Sequence, residues 1–589
     1  MKKTLKRQNG ITLIVLVITV IVLLILAGVS IAMLTGENGI ITQAIKAKEN
    51  TEQAAKNEAA ALNNIEDYLN EQTGESYLKN KGINSPKLVD GMRAVMFKLP
   101  KGNSKGEVIE RGQDGFDENN WYNYEEKKWA NARTQDGSYW VWIPRYAYKI
   151  TYKNLSNKSE GGTIDIKFLV GTTDQYYDEQ GNLKTAKRAT SATEEIDTTK
   201  DYYVHPAFTD ESKINYANGG WDKELTGIWV AKFEAGYASG NNNAPVKASS
   251  TNYTKSLSYV AEIEAGTSET VYIEARNWLD GIYGESKTAI KYPTFQPLTY
   301  TMIYINLNDA YNISKRLTEK DNIYGLSENT ANSHLMKNSE YGALEYLTHS
   351  KYGTNAEEPY LNNITLNSGN KQRTETTGRN GVDSVYSVSG VTTGEIKSKT
   401  KITTIENINK IQGNNANDGV YAWNQIEGQK ASNTLNMYGV YDISGGTWER
   451  IAAYVPNENE NLKRYGQDLT YDRDILKTQS TKYVTVYPFD KISDNTSLEE
   501  TEANRDLTSS ENYKKNKYIW GDGVREVSTQ GKGYTSWNND YSYYPGLNRP
   551  FFVVSSSFDN NIYSGIHIFS RNEGYQSNGT SFRPVIVEP

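Results

Sequence analysis

The apolar residues of this chain are distributed in three ways. From Ile11 to Leu34 the run ITLIVLVITVIVLLILAGVSIAML contains no charged residue. At about 1.5 Å rise per residue, such a helix spans the roughly 30 Å hydrocarbon core of a bilayer. The preceding segment MKKTLKRQNG is basic and holds no acid. A positive flank on the N-side predicts a cytoplasmic N-terminus and export of everything that follows Leu34. Over residues 35–75 the apolar positions change to Ile41, Ala44, Ile45, Ala55, Ala59, Leu62, Ile65 and Leu69, with Lys and Glu between them. That spacing predicts an amphipathic stalk helix, bent at Gly36-Glu37-Asn38-Gly39 and closed by Thr73-Gly74.

From about residue 80 short apolar and aromatic runs alternate with Gly, Asn and Asp. RAVMFKL, GSYWVWIPRYAYKITY, TIDIKFLV, TGIWVAKFEAGY and TVYIEAR read as strands. NLNDAYNISKRLTE reads as a helix, with Leu307, Ala310, Ile313 and Leu317 on one face and Asn308 as its N-cap, and EYGALEYLTHSKYG as a shorter one. Polar stretches near 153–201, 354–415 and 456–517, rich in Asn, Thr, Ser, Lys and Glu, read as solvated insertions into the 80–589 head.

Composition refines this picture. Tyr (44) far outnumbers Phe (12), which suits half-buried strands and binding surfaces, and mean hydropathy is -0.69, consistent with long polar insertions. Cysteine is absent, which excludes disulfides, thiolate metal sites and a cysteine nucleophile. Net charge is -7 even with Lys2, Lys3, Lys6 and Arg7 included. So acidic a chain is a poor candidate for binding nucleic acid or an anionic membrane surface through its main domain, and no nucleic-acid partner is expected.

The leader ending in Gly10, followed by Ile11-Thr12-Leu13 and an unbroken apolar helix, resembles the type III signal of type IV prepilins and pseudopilins. The resemblance implies a membrane prepilin peptidase that cuts after Gly10 and methylates Ile11, and other pilins as filament partners. Most members carry Glu at the fifth mature position. Here it is Val15, which points to a minor or terminal component rather than a shaft subunit. A cleavable signal peptide, using Ser30-Ile31-Ala32, and a plain membrane anchor compete with this reading, although signal h-regions run only about 7–15 residues.

The head resembles the formylglycine-generating enzyme and its C-type-lectin-like relatives. The segments that carry this are TGIWVAKFEAG (226–236), MIYINLNDAYNISKRL (302–317), SHLMKNSEYGALEYL (333–347), NMYGVYDISGGTWERI (436–451) and the closing strands with Ser581-Phe582-Arg583. The expected fold class is therefore α+β: a basic leader (1–10), a long pilin-type helix (11–34) with its stalk (35–75), and a large, insertion-rich C-type-lectin/formylglycine-generating-enzyme-like head (80–589).

The resemblance also implies copper chemistry on paired cysteines, which a cysteine-free chain cannot perform. The histidines His205, His334, His349 and His567 show no metal-ligand spacing, and no P-loop, GxSxG or HExxH motif occurs. Calcium is the remaining cofactor implied by the family, through Glu449, but Gly446 replaces the Asn that usually assists. The expectation is a surface protein without enzymatic activity whose head binds a carbohydrate or protein ligand; the alternatives are an exported enzyme of the same fold with an unrecognised metal site, or a membrane-anchored structural surface protein. Its contacts would come from the Tyr-, Asn- and Trp-rich stretch 534–575: Trp537, Asn538, Tyr541, Tyr543, Tyr544, Asn560, Tyr563 and Tyr575.

Overall fold

The structure, a computed structural model, describes residues 82–589 apart from 103, 212–217, most of 237–291, 298–300, 303–304, most of 361–422, 458, 490–511, 557–564, 576 and 578. The expected leader, transmembrane helix and stalk, with Gly10 and Ile11, lie outside the described residues. Among the described residues no helix is long and apolar enough to cross a membrane. Gly82–Pro589 forms one unit.

Strand outweighs helix in the structure, 29% against 15%, so the α+β expectation is corrected to a β-dominated head. The physical reason lies in the pattern itself: Tyr, Trp, Val and Ile recur at period two, whereas helical periodicity survives only over short stretches.

In chain order the elements begin with β1 (Arg93–Lys98), β2 (Glu107–Glu110), β3 (Asn131–Arg133) and β4 (Tyr139–Pro144). Next come β5 (Tyr146–Tyr152), β6 (Gly162–Phe168), β7 (Tyr203–Val204) and β8 (Gly227–Ala231). The middle of the chain supplies α1 (Leu307–Lys315), β9 (Asn332–Leu335), α2 (Asn338–His349), β10 (Trp448–Tyr454), α3 (Glu460–Thr470) and β11 (Thr485–Val486). The last part supplies β12 (Lys532–Ser536), β13 (Asp540–Tyr543), β14 (Phe551–Val554), β15 (Phe569–Asn572), β16 (Thr580–Phe582) and β17 (Pro584–Val587).

Two sheets dominate. The first runs β9-β17-β8-β4-β3-β1-β2, and the second runs β11-β10-β14-β15-β13-β12 with β16 also paired to β10. A three-stranded sheet, β6-β5-β7, stands beside them. Strand β17 enters between β8 and β9 with Trp229 opposite Ile586 and His334 opposite Val585.

The core is aromatic: Trp129, Trp140, Trp142, Trp229 and Trp537 are all fully buried. Trp142 and Trp229 pack with ring centroids 5.2 Å apart. Trp448, at the start of β10, is only half-buried.

Helix α2 is buried along its whole length, which explains its small apolar asymmetry; it is a central pillar and not a surface helix. Helix α1 starts two residues earlier than its sequence suggests. Asn306, not Asn308, caps it, its side chain accepting from the Asp309 amide at 2.9 Å.

Two of the presumed solvated insertions also contribute structure. Strand β6 lies inside 153–201 and pairs with β5 from Tyr146↔Phe168 to Tyr152↔Gly162, placing Ile164, Ile166 and Phe168 in the main core. Helix α3 lies inside 456–517 and buries Leu462 and Leu469. The alternation of TIDIKFLV announces β6, with its polar residues on the outward positions, whereas the polar composition of 456–517 does not announce α3.

Candidate functional site

The hallmark blocks of the sequence converge on a buried ionic knot. Arg583 grips Glu449 with a forked contact, Nη2 donating to Oε1 at 2.6 Å and Nε lying 3.1 Å from Oε2. The remaining guanidinium donors reach the carbonyls of Ala231 and Tyr441 at 2.6 and 2.9 Å. Both residues are fully buried, so the pair satisfies itself where neither partner alone could be tolerated. Glu449, the candidate calcium ligand, thus has both oxygens engaged by an internal cation.

Beside the pair, Glu234 accepts from the Thr447 amide at 2.7 Å and from the Thr301 hydroxyl at 2.9 Å. Burial, together with the negative charges of Asp442 and Glu449, pushes its carboxyl well above the usual range. Gly446 lies against it with φ +70°. A Cβ there would approach Glu234 Oε1 to 2.6 Å, so this position needs glycine for close approach rather than for cation binding. A second internal cation, the Lys232 ammonium, is held by Asn131 Oδ1 (2.8 Å), Met437 O (2.6 Å) and Gly439 O (2.8 Å). These groups specify the fold. Among the described residues no group of three or more His, Asp or Glu is placed to hold a metal ion.

The C-terminal hairpin β12–β13 is the outer edge of the second sheet. Its register runs Lys532↔Tyr543 and Gly533↔Ser542, then slips to Ser536↔Asp540 through a bulge. Between the strands, Asn538 and Asn539 adopt left-handed conformations (φ 58° and 61°), which Asn tolerates better than most residues. Along β13 burial alternates: Asp540 and Ser542 point inward, Tyr541 and Tyr543 outward and half-buried.

This alternation sorts the candidate contacts. Tyr541 and Tyr543 lie on the outer face with ring centroids 4.9 Å apart, and Tyr534, 48% exposed, packs 5.6 Å from Tyr541. The Arg571 guanidinium covers the Tyr543 ring at 4.7 Å. Together they form a short aromatic ridge. Tyr534 and Arg571 were not among the sequence candidates, although period-two spacing on either side of the Asn538-Asn539 turn carries the signal for Tyr534.

The other candidates fall elsewhere. Trp537 is wholly buried, its ring meeting His349 and His567 edge-on at 4.7 and 5.2 Å. Tyr544 is also core, packed among Tyr487, Tyr513 and Phe552 with its hydroxyl donated to Pro488 O. Neither offers a ring to a ligand: the large apolar area that suits an aromatic to an interface also suits it to a core. Asn538 turns its amide inward to Glu358 Oε1 at 2.7 Å. Tyr575, 45% exposed, sits on a different turn, against Tyr465 of α3. Asn560 and Tyr563 lie outside the described residues.

Beneath the hairpin runs a chain of buried polar contacts that no sequence spacing revealed. Glu345 Oε1 meets His567 Nδ1 at 2.5 Å, His567 Nε2 meets His349 Nδ1 at 3.0 Å, and His349 Nε2 meets Gly162 O at 3.1 Å. Two further carboxylates bind the adjoining backbone: Asp540 accepts from the His567 amide at 2.9 Å and Glu358 from the Ile566 amide at 3.2 Å. Burial raises the Glu345 carboxyl well above its ordinary value, reinforced by nearby Asp522 and Asp540. Burial holds His349 down to about 4. His205 is also buried and pushed well below 6.5, its Nδ1 accepting from the Ala207 amide.

No family model matches the chain, and no curated relative does either.

Proposed function

We propose that this protein is a recognition protein of the cell surface, anchored in the cytoplasmic membrane through residues 11–34 with its head exported. In this reading it matures by prepilin-type cleavage between Gly10 and Ile11 as a minor or terminal component of a filament. The head binds a surface carbohydrate or protein through the hairpin β12–β13 and carries out no chemistry.

The observation that carries the proposal is the aromatic ridge Tyr534–Tyr541–Tyr543, half-exposed on an edge hairpin whose inward residues are locked into the core. Rigid tyrosines on a fixed scaffold supply contact area at low entropic cost, as paratopes do. Rings in the core would serve packing alone, but these three keep an open side. The ionic knot supports the reading as well: it joins the 436–451 and 580–587 blocks, the most specific part of the family resemblance, as an internal pair.

The test is a glycan and protein array probed with the exported protein and with Tyr541→Ala/Tyr543→Ala. The double variant is expected to lose binding at least tenfold while its unfolding midpoint stays within a few degrees of the parent. Equal binding by both proteins would remove the ridge from consideration. Mass spectrometry of the native N-terminus tests the maturation step; a chain beginning with methylated Ile11 is expected, and one beginning at Met1 would exclude it.

A further inference from the structure

We propose that the Glu345–His567–His349 chain is an acid-sensitive latch that ties the recognition hairpin to helix α2, closed at neutral pH and released as the medium acidifies. This rests on the recognition reading only for its biological use; the latch itself stands on geometry.

The argument is one of donors and acceptors. Gly162 O can only accept, so a neutral His349, as burial keeps it, carries its proton on Nε2 and presents a lone pair at Nδ1. His567 Nε2 must then be the donor in the contact between the two rings. The last link, Glu345 Oε1 to His567 Nδ1, therefore holds one shared proton, either on the carboxyl or on the imidazole. Glu345 Oε2 has no hydrogen-bond partner, which suits a carboxyl kept neutral or in a neutral pair. With His349 neutral, every other atom of the chain is satisfied in this arrangement. A proton added to His349 Nδ1 while His567 keeps its Nε2 proton would set two N–H groups face to face and break the central link.

The latch is joined to the hairpin at two points. Trp537, which leads into the Asn538-Asn539 turn, rests edge-on against both imidazoles. Asp540, the first residue of β13, holds the His567 amide. Helix α2 supplies Glu345 and His349, so opening the chain frees the hairpin tip from the pillar below it.

The surrounding groups set the direction. Asp522 and Glu526 from the 520–526 loop, Asp540 from β13 and Glu358 from beyond α2 face Glu345, and Lys153 at the end of β5 faces His349. The carboxylates favour retention of the shared proton, and Lys153 opposes a charge on His349. The nearby phenols of Tyr146, Tyr341 and Tyr346 are raised by burial and do not titrate in this range.

Hydrogen exchange on the full-length protein in detergent tests the latch. Closed, His349 titrates at about 4; in an opened hairpin it returns to about 6.5. After correction for intrinsic rates, protection of the 532–543 amides is expected to fall up to tenfold per pH unit between those values. In His349→Gln, which keeps a donor and an acceptor but cannot titrate, the profile is expected to be flatter by that slope. Equal slopes in the two proteins, or a flat profile in the parent, would overturn the latch. Should the Gln variant not fold, long-range ¹H–¹⁵N spectra of the parent decide: neutral His349 with its proton on Nε2 at pH 7.5 is expected, and the opposite tautomer or a cation would refute it. Neither readout involves a ligand, so failure of the array leaves these slopes intact, and a flat slope leaves the array result intact.

Discussion

Arg583 shows most directly how one residue can be indispensable without touching a ligand. Replacing it by Met leaves Glu449 buried without its cation, a situation that costs about 3–5 kcal/mol. Urea unfolding of Arg583→Met is expected to show a loss of that size, whereas a loss under about 1 kcal/mol would mean that water reaches the site. Arg583→Lys should recover only part, because a point charge cannot span both Glu449 oxygens and the Ala231 and Tyr441 carbonyls together. At this scale the sequence was partly legible. Phe582 and Val585 read as strand core from their apolar, β-favouring side chains, and an arginine between them demands a buried partner. The partner of His567 was not legible. His349 lies 218 residues away, and only the pairing of sheets and the packing of α2 bring the rings together.

Among the elements, the hairpin β12–β13 separates stability from recognition. Trp537→Ala removes a fully buried indole and is expected to destabilise the fold by about 3–5 kcal/mol, seen as a lowered unfolding midpoint. Tyr541→Ala, two positions after the turn on the outward side, should cost less than about 1 kcal/mol, since its ring keeps an exposed flank. If the two variants lost equal stability, the inward–outward assignment of the strand would be wrong. Composition could not make this distinction, because Trp, Tyr and Asn are as much at home in an aromatic core as on a binding face. The alternation from Asp540 to Tyr544 could, once the Asn538-Asn539 turn fixed the phase. Within 153–201 the same alternation is legible, because Ile164, Ile166 and Phe168 fall at every second place of TIDIKFLV.

For the whole molecule, buried ionisable groups make stability depend on pH in opposing ways. Asp522 is raised to about 6 by burial, so the folded state holds its proton more tightly than the unfolded chain, where the value is near 3.8. Its favourable contribution is complete below the unfolded value and is lost as pH rises through about 6. Asp522→Asn removes that dependence, so its stability relative to the parent should grow by about 1.4 kcal/mol per pH unit between 4 and 6 and then level off. His205 and His349 act in the opposite sense: neutral in the fold, they withdraw stability as pH falls below about 6.5. Chemical denaturation of the parent and Asp522→Asn across that range checks the first trend; parallel curves would exclude it. The placement of β17 has a different kind of consequence. Because Pro584–Val587 pairs with β8 on one side and β9 on the other, strands formed hundreds of residues earlier wait with bare edges for it. A chain halted anywhere before Pro584 cannot close its first sheet, so folding of the head is postponed until synthesis has passed that point. A truncated copy thereby identifies itself by failing to fold.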